Sequence, residues 1–271
     1  MNEKNLLFQT KDLSAIINPE VFGVQLIAKQ KGSIDIVYGQ QYYLNSYLAN
    51  REKRKKLYCE ILEKALMSSS GPLLDVGSGA GLFLQVAAER KIEATGIEPS
   101  GPACQLAKME CPAEIIHGDP LDFSEDWRKE HYGCITILDV LAHTESPDKL
   151  LQWCGKQMNK DGILVLKTPN HPLSFYQYVW IKHHRNTSML QELLHFPFQQ
   201  FGWGINGIED LLKKCGFNII SLEPYHEFER SGKFLYKDLL HPRRLLYKSS
   251  LRNAERFLGY PSILAIAKKR A

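Results

Sequence analysis

Between Leu73 and Asn170 the chain alternates between two kinds of hydrophobic pattern. Short, almost wholly apolar runs end in glycine, acid or asparagine: LLDVGSG from Leu73, EATGIEPS from Glu93, AEIIHGD from Ala113, HYGCITILDV from His131 and GILVLKTPN from Gly162. Between them, LFLQVAAERK, GPACQLAKME and SPDKLLQWCGKQM place apolar residues at helical spacing. Strands that alternate with helices of about 10–15 residues build βαβ units, with a parallel sheet and right-handed crossovers. The strands do not alternate in polarity, which predicts helices on both faces of the sheet. The expected fold class is therefore α/β, a Rossmann-like doubly wound sheet of mostly parallel strands.

The flanking regions read differently. Tyr47, Leu48, Leu57, Tyr58, Ile61, Leu62, Ala65 and Leu66 lie near helical spacing and predict a helix over 46–67, stopped by Ser68-Ser69-Ser70-Gly71-Pro72. Residues 1–50 hold the apolar pieces Val21–Ile27 and Ile34–Tyr38 and a tyrosine cluster, and 1–71 is expected to form an N-terminal helical extension or cap. After Asn170 the βα rhythm breaks. Residues 171–206 are rich in aromatics and histidine, including Phe196, Phe198, Phe201 and Trp203. A helix (IEDLLKKCGF), a strand (NIISLEP), a basic amphipathic insert over 231–258 and a last strand (SILAIAKKR) complete the expected 72–271 domain. No internal repeat is visible.

Composition narrows the class. At 271 residues and 44% hydrophobic content, the chain matches one large domain with appendages and is too apolar for disorder. No stretch approaches the ~18 consecutive apolar residues of a membrane span. The N-terminus shows no secretory h-region or cleavage site. None of the six cysteines forms a C-x-x-C pair, so they read as reduced thiols of a cytoplasmic protein. The net charge of +4 is unevenly spread: Arg51-Glu52-Lys53-Arg54-Lys55-Lys56 and the 231–258 insert are basic. Such patches can meet a polyanion or an anionic membrane, or simply face water as helix surfaces.

The glycine loop Gly77-Ser78-Gly79-Ala80-Gly81 joins the first strand of this series to a helix, where positive φ and close approach of a ligand are possible. Ligands of open α/β sheets bind at this edge. The G-x-G-x-x-G/A dinucleotide fingerprint fails, because Leu82 stands at its third position. Asp75, two residues before the loop, would repel a pyrophosphate and attract a cationic amino acid.

D-x-G-x-G-x-G after the strand resembles motif I of class I S-adenosylmethionine-dependent methyltransferases, and further motifs follow in register. Glu98-Pro99 ends the second strand, where the resemblance implies a carboxylate on the ribose hydroxyls. Gly118-Asp119-Pro120 follows the third, where it implies an acid on the adenine amino group. LDVLAHTESPDKLL, with Asp139 and Val140, resembles the stretch after the fourth. GILVLKTPN resembles the fifth strand, and ILAIAKKR the antiparallel last one. The likeness covers about 72–270 and is nearest to ubiquinone-pathway-type small-molecule methyltransferases. It implies S-adenosyl-L-methionine held by Asp75, Gly77, Ser78, Gly79, Gly81, Glu98, Pro99, Asp119, Pro120, Asp139 and Val140, with Tyr42, Tyr43 and Tyr47 as candidates to cover it.

An oxygen acceptor also needs a base, and histidine suits neutral pH. His143, after the fourth strand, and His195, in LLHFPF, are the candidate catalytic residues. His171 is a weaker candidate, and His183 and His184 read as surface residues. The 171–206 insert is the expected acceptor lid, fitting an aromatic or lipid-like small molecule. Metal-using relatives carry an acid beside this histidine, whereas here it follows Ala142, with Glu145 displaced, so no metal is expected. Arg244, Lys248, Arg252 and Arg256 oppose an apolar face in 231–258 and suggest peripheral contact with an anionic membrane. Two alternatives stay open: methylation of RNA or protein, and a non-catalytic cofactor-binding domain. Asp139-Val140-Leu141-Ala142 stands where nucleic-acid amino-methylating enzymes carry an N-P-P-Y-like tetrad, so a nucleic-acid partner is not expected. Oligomeric state is not written in the sequence.

Overall fold

The computed structural model describes residues 6–9, 13–18, 20, 23–28, 50–67, 69, 71–124, 127–128, 131–170, 199–225 and 262–270. Three short strands open the chain: β1 (Leu6–Gln9), β2 (Leu13–Asn18) and β3 (Gly23–Ala28). Helix α1 (Arg51–Leu66) follows, then β4 (Leu73–Val76), α2 (Leu82–Glu89), β5 (Ala94–Glu98), α3 (Gly101–Glu110) and β6 (Glu114–His117). Next come β7 (Tyr132–Leu138), α4 (Pro147–Gln157), β8 (Met158–Pro169) and the two-residue β9 (Phe201–Gly202). Helix α5 (Ile205–Lys214), β10 (Phe217–Tyr225) and β11 (Ser262–Lys269) complete the order.

Seven strands form the main sheet in the order β10-β11-β8-β7-β4-β5-β6. β4 pairs in parallel with β5 on one side and β7 on the other, while β11 runs antiparallel to both β8 and β10. The chain winds outward from β4 to β6 and then returns to β7, so the topological switch falls between β4 and β7. Ligand crevices of doubly wound sheets open at this point, beyond the carboxyl ends of the strands.

The sheet is covered on both faces, as its unalternating strands predict. Ile135, Ile137, Leu164 and Leu166 pack with Trp153, Leu211 and Phe217 on one side. Cys134, Ile163 and Val165 pack with Ile61, Phe83 and Leu84 on the other. None of the six cysteines is in a disulfide, and burial pushes the Cys134 and Cys154 thiols upward.

Two features differ from the sequence reading. The N-terminal region contains the expected helix, starting at Arg51, but also three strands where an otherwise helical extension was expected. β3 pairs with β2 and with β9, giving a second sheet of order β1-β2-β3-β9. These strands are short, and one partner lies far along the sequence, so no local periodicity announces them. The basic start of α1 is also engaged within the molecule. Arg51 reaches Glu110 of α3 at 2.8 Å and Gln85 of α2 at 2.7 Å, and Lys55 reaches Glu89 of α2 at 2.8 Å. These charges tie α1 to its neighbours, which weakens the case for a polyanion-binding patch at 51–56. Among the described residues, no helix is long and apolar enough to cross a membrane.

Candidate active site

The loop after β4 is made by three glycines in the left-handed region: Gly77 (φ 73°), Gly79 (φ 55°) and Gly81 (φ 77°). Side chains disfavour this conformation. At Gly77 there is also no room, since a Cβ would stand 2.3 Å from Val140 Cγ2. The N–H groups of Gly77 and Ser78 both donate to the Ile97 carbonyl, at 2.7 and 3.1 Å, and fasten the loop to β5. The Ser78 hydroxyl turns toward β5, where a Cβ on Gly96 would lie 2.6 Å from it. Ser78 thus contributes to the loop's shape, with its N–H and hydroxyl directed at the sheet.

Glu98 closes the cradle. It is 5% exposed, yet both carboxylate oxygens are held: Oε2 accepts from the Gly79 N–H and Oε1 from the Ser100 N–H, each at 2.8 Å. Burial raises its pKa, opposed by these two N–H groups and by His117. Each oxygen keeps a second lone pair for a ligand hydroxyl. Pro99 follows, and its carbonyl lies 3.1 Å from His117 Nε2. Asp119 caps the 3-10 turn Pro120–Asp122, with Oδ1 accepting from the Leu121 N–H at 2.9 Å. Gly118 leaves space for the Phe123 ring, whose Cζ would be 2.8 Å from a Cβ there.

Asp75 is 3% exposed in mid-strand and accepts a 2.6 Å hydrogen bond from the Thr136 hydroxyl of β7. Burial lifts its pKa to about 7, Thr136 pulls it down and Glu98 adds to the rise. A cation arriving beside it would favour the charged form.

The other side of the switch point combines a side-chain ion pair with main-chain hydrogen bonds. Asp139 follows β7 in the left-handed conformation (φ 62°), and its N–H donates to the Lys167 carbonyl at 2.8 Å. The Lys167 ammonium, in β8 and 1% exposed, lies 2.5 Å from Asp139 Oδ2. Val140 rests on Gly77, and the His143 N–H closes the turn onto the Val140 carbonyl at 2.8 Å. The Ala142 carbonyl accepts from the N–H groups of Gln200 and Phe201 at 2.7 and 3.1 Å, and Gln200 Nε2 donates to the His143 carbonyl at 3.1 Å. The end of the expected lid thus seats on the turn that bears His143. Phe201 and Trp203 stack at 5.7 Å between centroids and are buried in the core, so these two aromatics pack the segment down.

The fold therefore gathers Asp75, the glycine loop, Glu98-Pro99, Asp119-Pro120, Asp139, Val140 and His143 along one edge. His195, His171, His183, His184, Tyr42, Tyr43, Tyr47 and the 231–258 insert lie outside the described residues. Among the described residues, no three histidine, cysteine or acidic side chains gather as a metal would require. Two residues escaped the sequence reading, Lys167 and Thr136. The one signal for Lys167 was a cation directly following the apolar run 163–166.

Residues 50–222 match the model of the methyltransferase domain family, and the chain belongs to that family. Its fold and edge motifs are those of the class I S-adenosylmethionine-dependent methyltransferases. Over 140 residues it is 29% identical to a ubiquinone biosynthesis O-methyltransferase of Haemophilus ducreyi, a match covering 48% of this chain and 58% of that protein. The chain thus spans little more than half the length of the first curated relatives it matches. In fold it is similar to an S-adenosylmethionine-dependent methyltransferase of Archaeoglobus fulgidus (TM-score 0.58, 19% identity, 83% of this chain and 100% of that one). It is also similar to the magnesium protoporphyrin IX methyltransferase of Synechocystis solved with bound S-adenosylhomocysteine (TM-score 0.56, 14% identity, 88% of this chain and 95% of that one).

Proposed function

We propose that this protein transfers a methyl group from S-adenosylmethionine to an oxygen of a small aromatic or lipid-like molecule. The observation that supports it most is the Glu98 carboxylate, fixed by two backbone N–H groups beside three left-handed glycines. That arrangement fits a ligand bearing vicinal hydroxyls, held close to a bare backbone. The curated relatives named for O-methylation in ubiquinone biosynthesis support the choice of a small-molecule oxygen acceptor.

In this reading Glu98 accepts the ribose hydroxyls and Asp119 the adenine amino group. Asp75 faces the amino-acid end, and the glycine loop lets the ligand approach the backbone. When bound, the cofactor supplies a methyl group already activated on a sulfonium. The protein's work is alignment, worth up to about 7–11 kcal/mol in the best cases, and removal of one proton. As the acceptor oxygen gains the methyl group, a ring nitrogen of His143 takes the hydroxyl proton, while the 199–203 segment fixes the turn and excludes water. Phenolic and lipid-like hydroxyl compounds, incubated with labelled cofactor, test the reading. Label should enter an ether product, and His143→Ala should lower kcat by about 100-fold or more across pH 6–9. Label in RNA or protein, with no small-molecule product, would overturn it.

A further inference from the structure

The ligand-facing groups are ordered across the sheet: Asp119 after β6, Glu98 at the end of β5, the glycine loop after β4 and Asp139 after β7. Adjacent strands are about 4.8 Å apart. With adenine at Asp119 and ribose at Glu98, as the proposed function has them, the sulfur end reaches the β4–β7 boundary. Asp139 stands there, next to Val140, which is pressed onto Gly77.

This boundary holds a charge pair in an unusual setting. Lys167 is buried in a strand whose residues 163–166 are all apolar and buried. An ammonium in such a place is costly unless an anion faces it. Asp139 supplies the anion at 2.5 Å, from a backbone at positive φ. Asp139 keeps a second carboxylate oxygen, Oδ1, that is buried and has no hydrogen-bond partner among the described residues. The carboxylate is thus anchored through Oδ2 and left unsatisfied at Oδ1.

Methyl transfer removes one positive charge from the sulfur. A site's preference between sulfonium cofactor and thioether product therefore follows the electrostatic potential at that atom. We propose that Lys167 balances the Asp139 carboxylate beside the sulfur end of the site. It thereby sets how strongly the protein prefers S-adenosylmethionine over S-adenosylhomocysteine. A lone carboxylate would hold the cation tightly against its product. The neutral pair leaves the discrimination modest and lets alignment, rather than charge, retain the cofactor.

Calorimetric titration of the full chain with each of the two compounds tests this, and needs no methyl acceptor. Lys167→Met should shift the affinity ratio toward S-adenosylmethionine by on the order of three- to tenfold. Asp139→Asn should shift it the opposite way by a similar factor. The double variant, which is again neutral, should return within about twofold of the wild type. If Asp139→Asn does not fold, the other two variants still decide. A merely structural role would weaken both ligands together and leave the ratio fixed, which would overturn the inference. So would a shift of the same sign in both single variants. A folded wild type that bound neither compound would remove the cofactor site and this inference with it. A wild type that binds both, with an unmoved ratio in Lys167→Met, overturns the inference alone.

Discussion

On the β4–β5 side of the switch point a loop of left-handed glycines is clipped to a buried carboxylate, whereas the β7–β8 side adds a buried lysine–aspartate pair and a turn on which a later segment of the chain is seated. The first side shapes three left-handed glycines and clips them to Glu98 through a main-chain N–H. The second holds Asp139 against a buried lysine and hangs the 199–203 segment from the Ala142 and His143 carbonyls. A backbone cradle suits a ligand common to a whole family, because it depends on glycine spacing more than on side-chain identity. Side-chain pairing can vary with the acceptor while the sheet stays the same. Beyond the β4–β7 ladder and the Thr136–Asp75 hydrogen bond, the two sides meet where Val140 rests on Gly77.

The largest effect is expected from breaking that contact. Gly77→Val puts a branched side chain at φ 73° and within 2.3 Å of Val140. Crowding and backbone strain together should cost about 3 kcal/mol or more. Denaturant unfolding should show the loss. Adding Val140→Ala should recover the crowding part while the strain remains. Full stability in Gly77→Val would mean the two sides do not press on each other.

Asp75 sharpens the comparison through pH. Its native pKa, about 7, lies above its ordinary value of 3.8, so the folded protein binds the proton more tightly than the unfolded chain. Stability should therefore fall as pH rises through this window, by up to a few kcal/mol. Asp75→Asn removes that dependence. Its Tm should match the wild type near pH 4 and exceed it increasingly up to about pH 8. A constant difference across this range would show that the carboxylate does not titrate there.

The smallest effect is expected far from the edge. Arg51 bridges α1 to Glu110 and Gln85 with a partly exposed side chain. Arg51→Ala should cost no more than about 1 kcal/mol, and less at high salt. A much larger loss would make α1 part of the site's support.

The same contrast explains what could be read from the chain. Strand–helix alternation from Leu73 to Asn170 was legible because short unbroken apolar runs alternate with segments of helical apolar spacing. The glycine loop, Glu98 and Asp119 were legible because they stand at fixed distances from strand ends, in the spacing of the motifs they resemble. Lys167 was not, since a lysine at a strand end ordinarily reaches water, and the turn at Asp139 that brings a carboxylate to it is not written in the local pattern. Thr136 was hidden in the same way, as one more β-branched residue of β7 until register set it against Asp75. The three N-terminal strands were missed because part of their pairing is with Phe201–Gly202, remote in sequence. In Phe201 and Trp203 the aromatic pattern was plain, but it marked a packed segment instead of an open acceptor wall.

Titration of S-adenosylhomocysteine into the wild type and Glu98→Ala tests the central claim most directly. Micromolar binding by the wild type and a loss of about tenfold or more in the variant are expected, because the proposed ribose acceptor and the Gly79 anchor disappear together. Equal affinity in the two proteins, or no binding by a folded wild type, would contradict it.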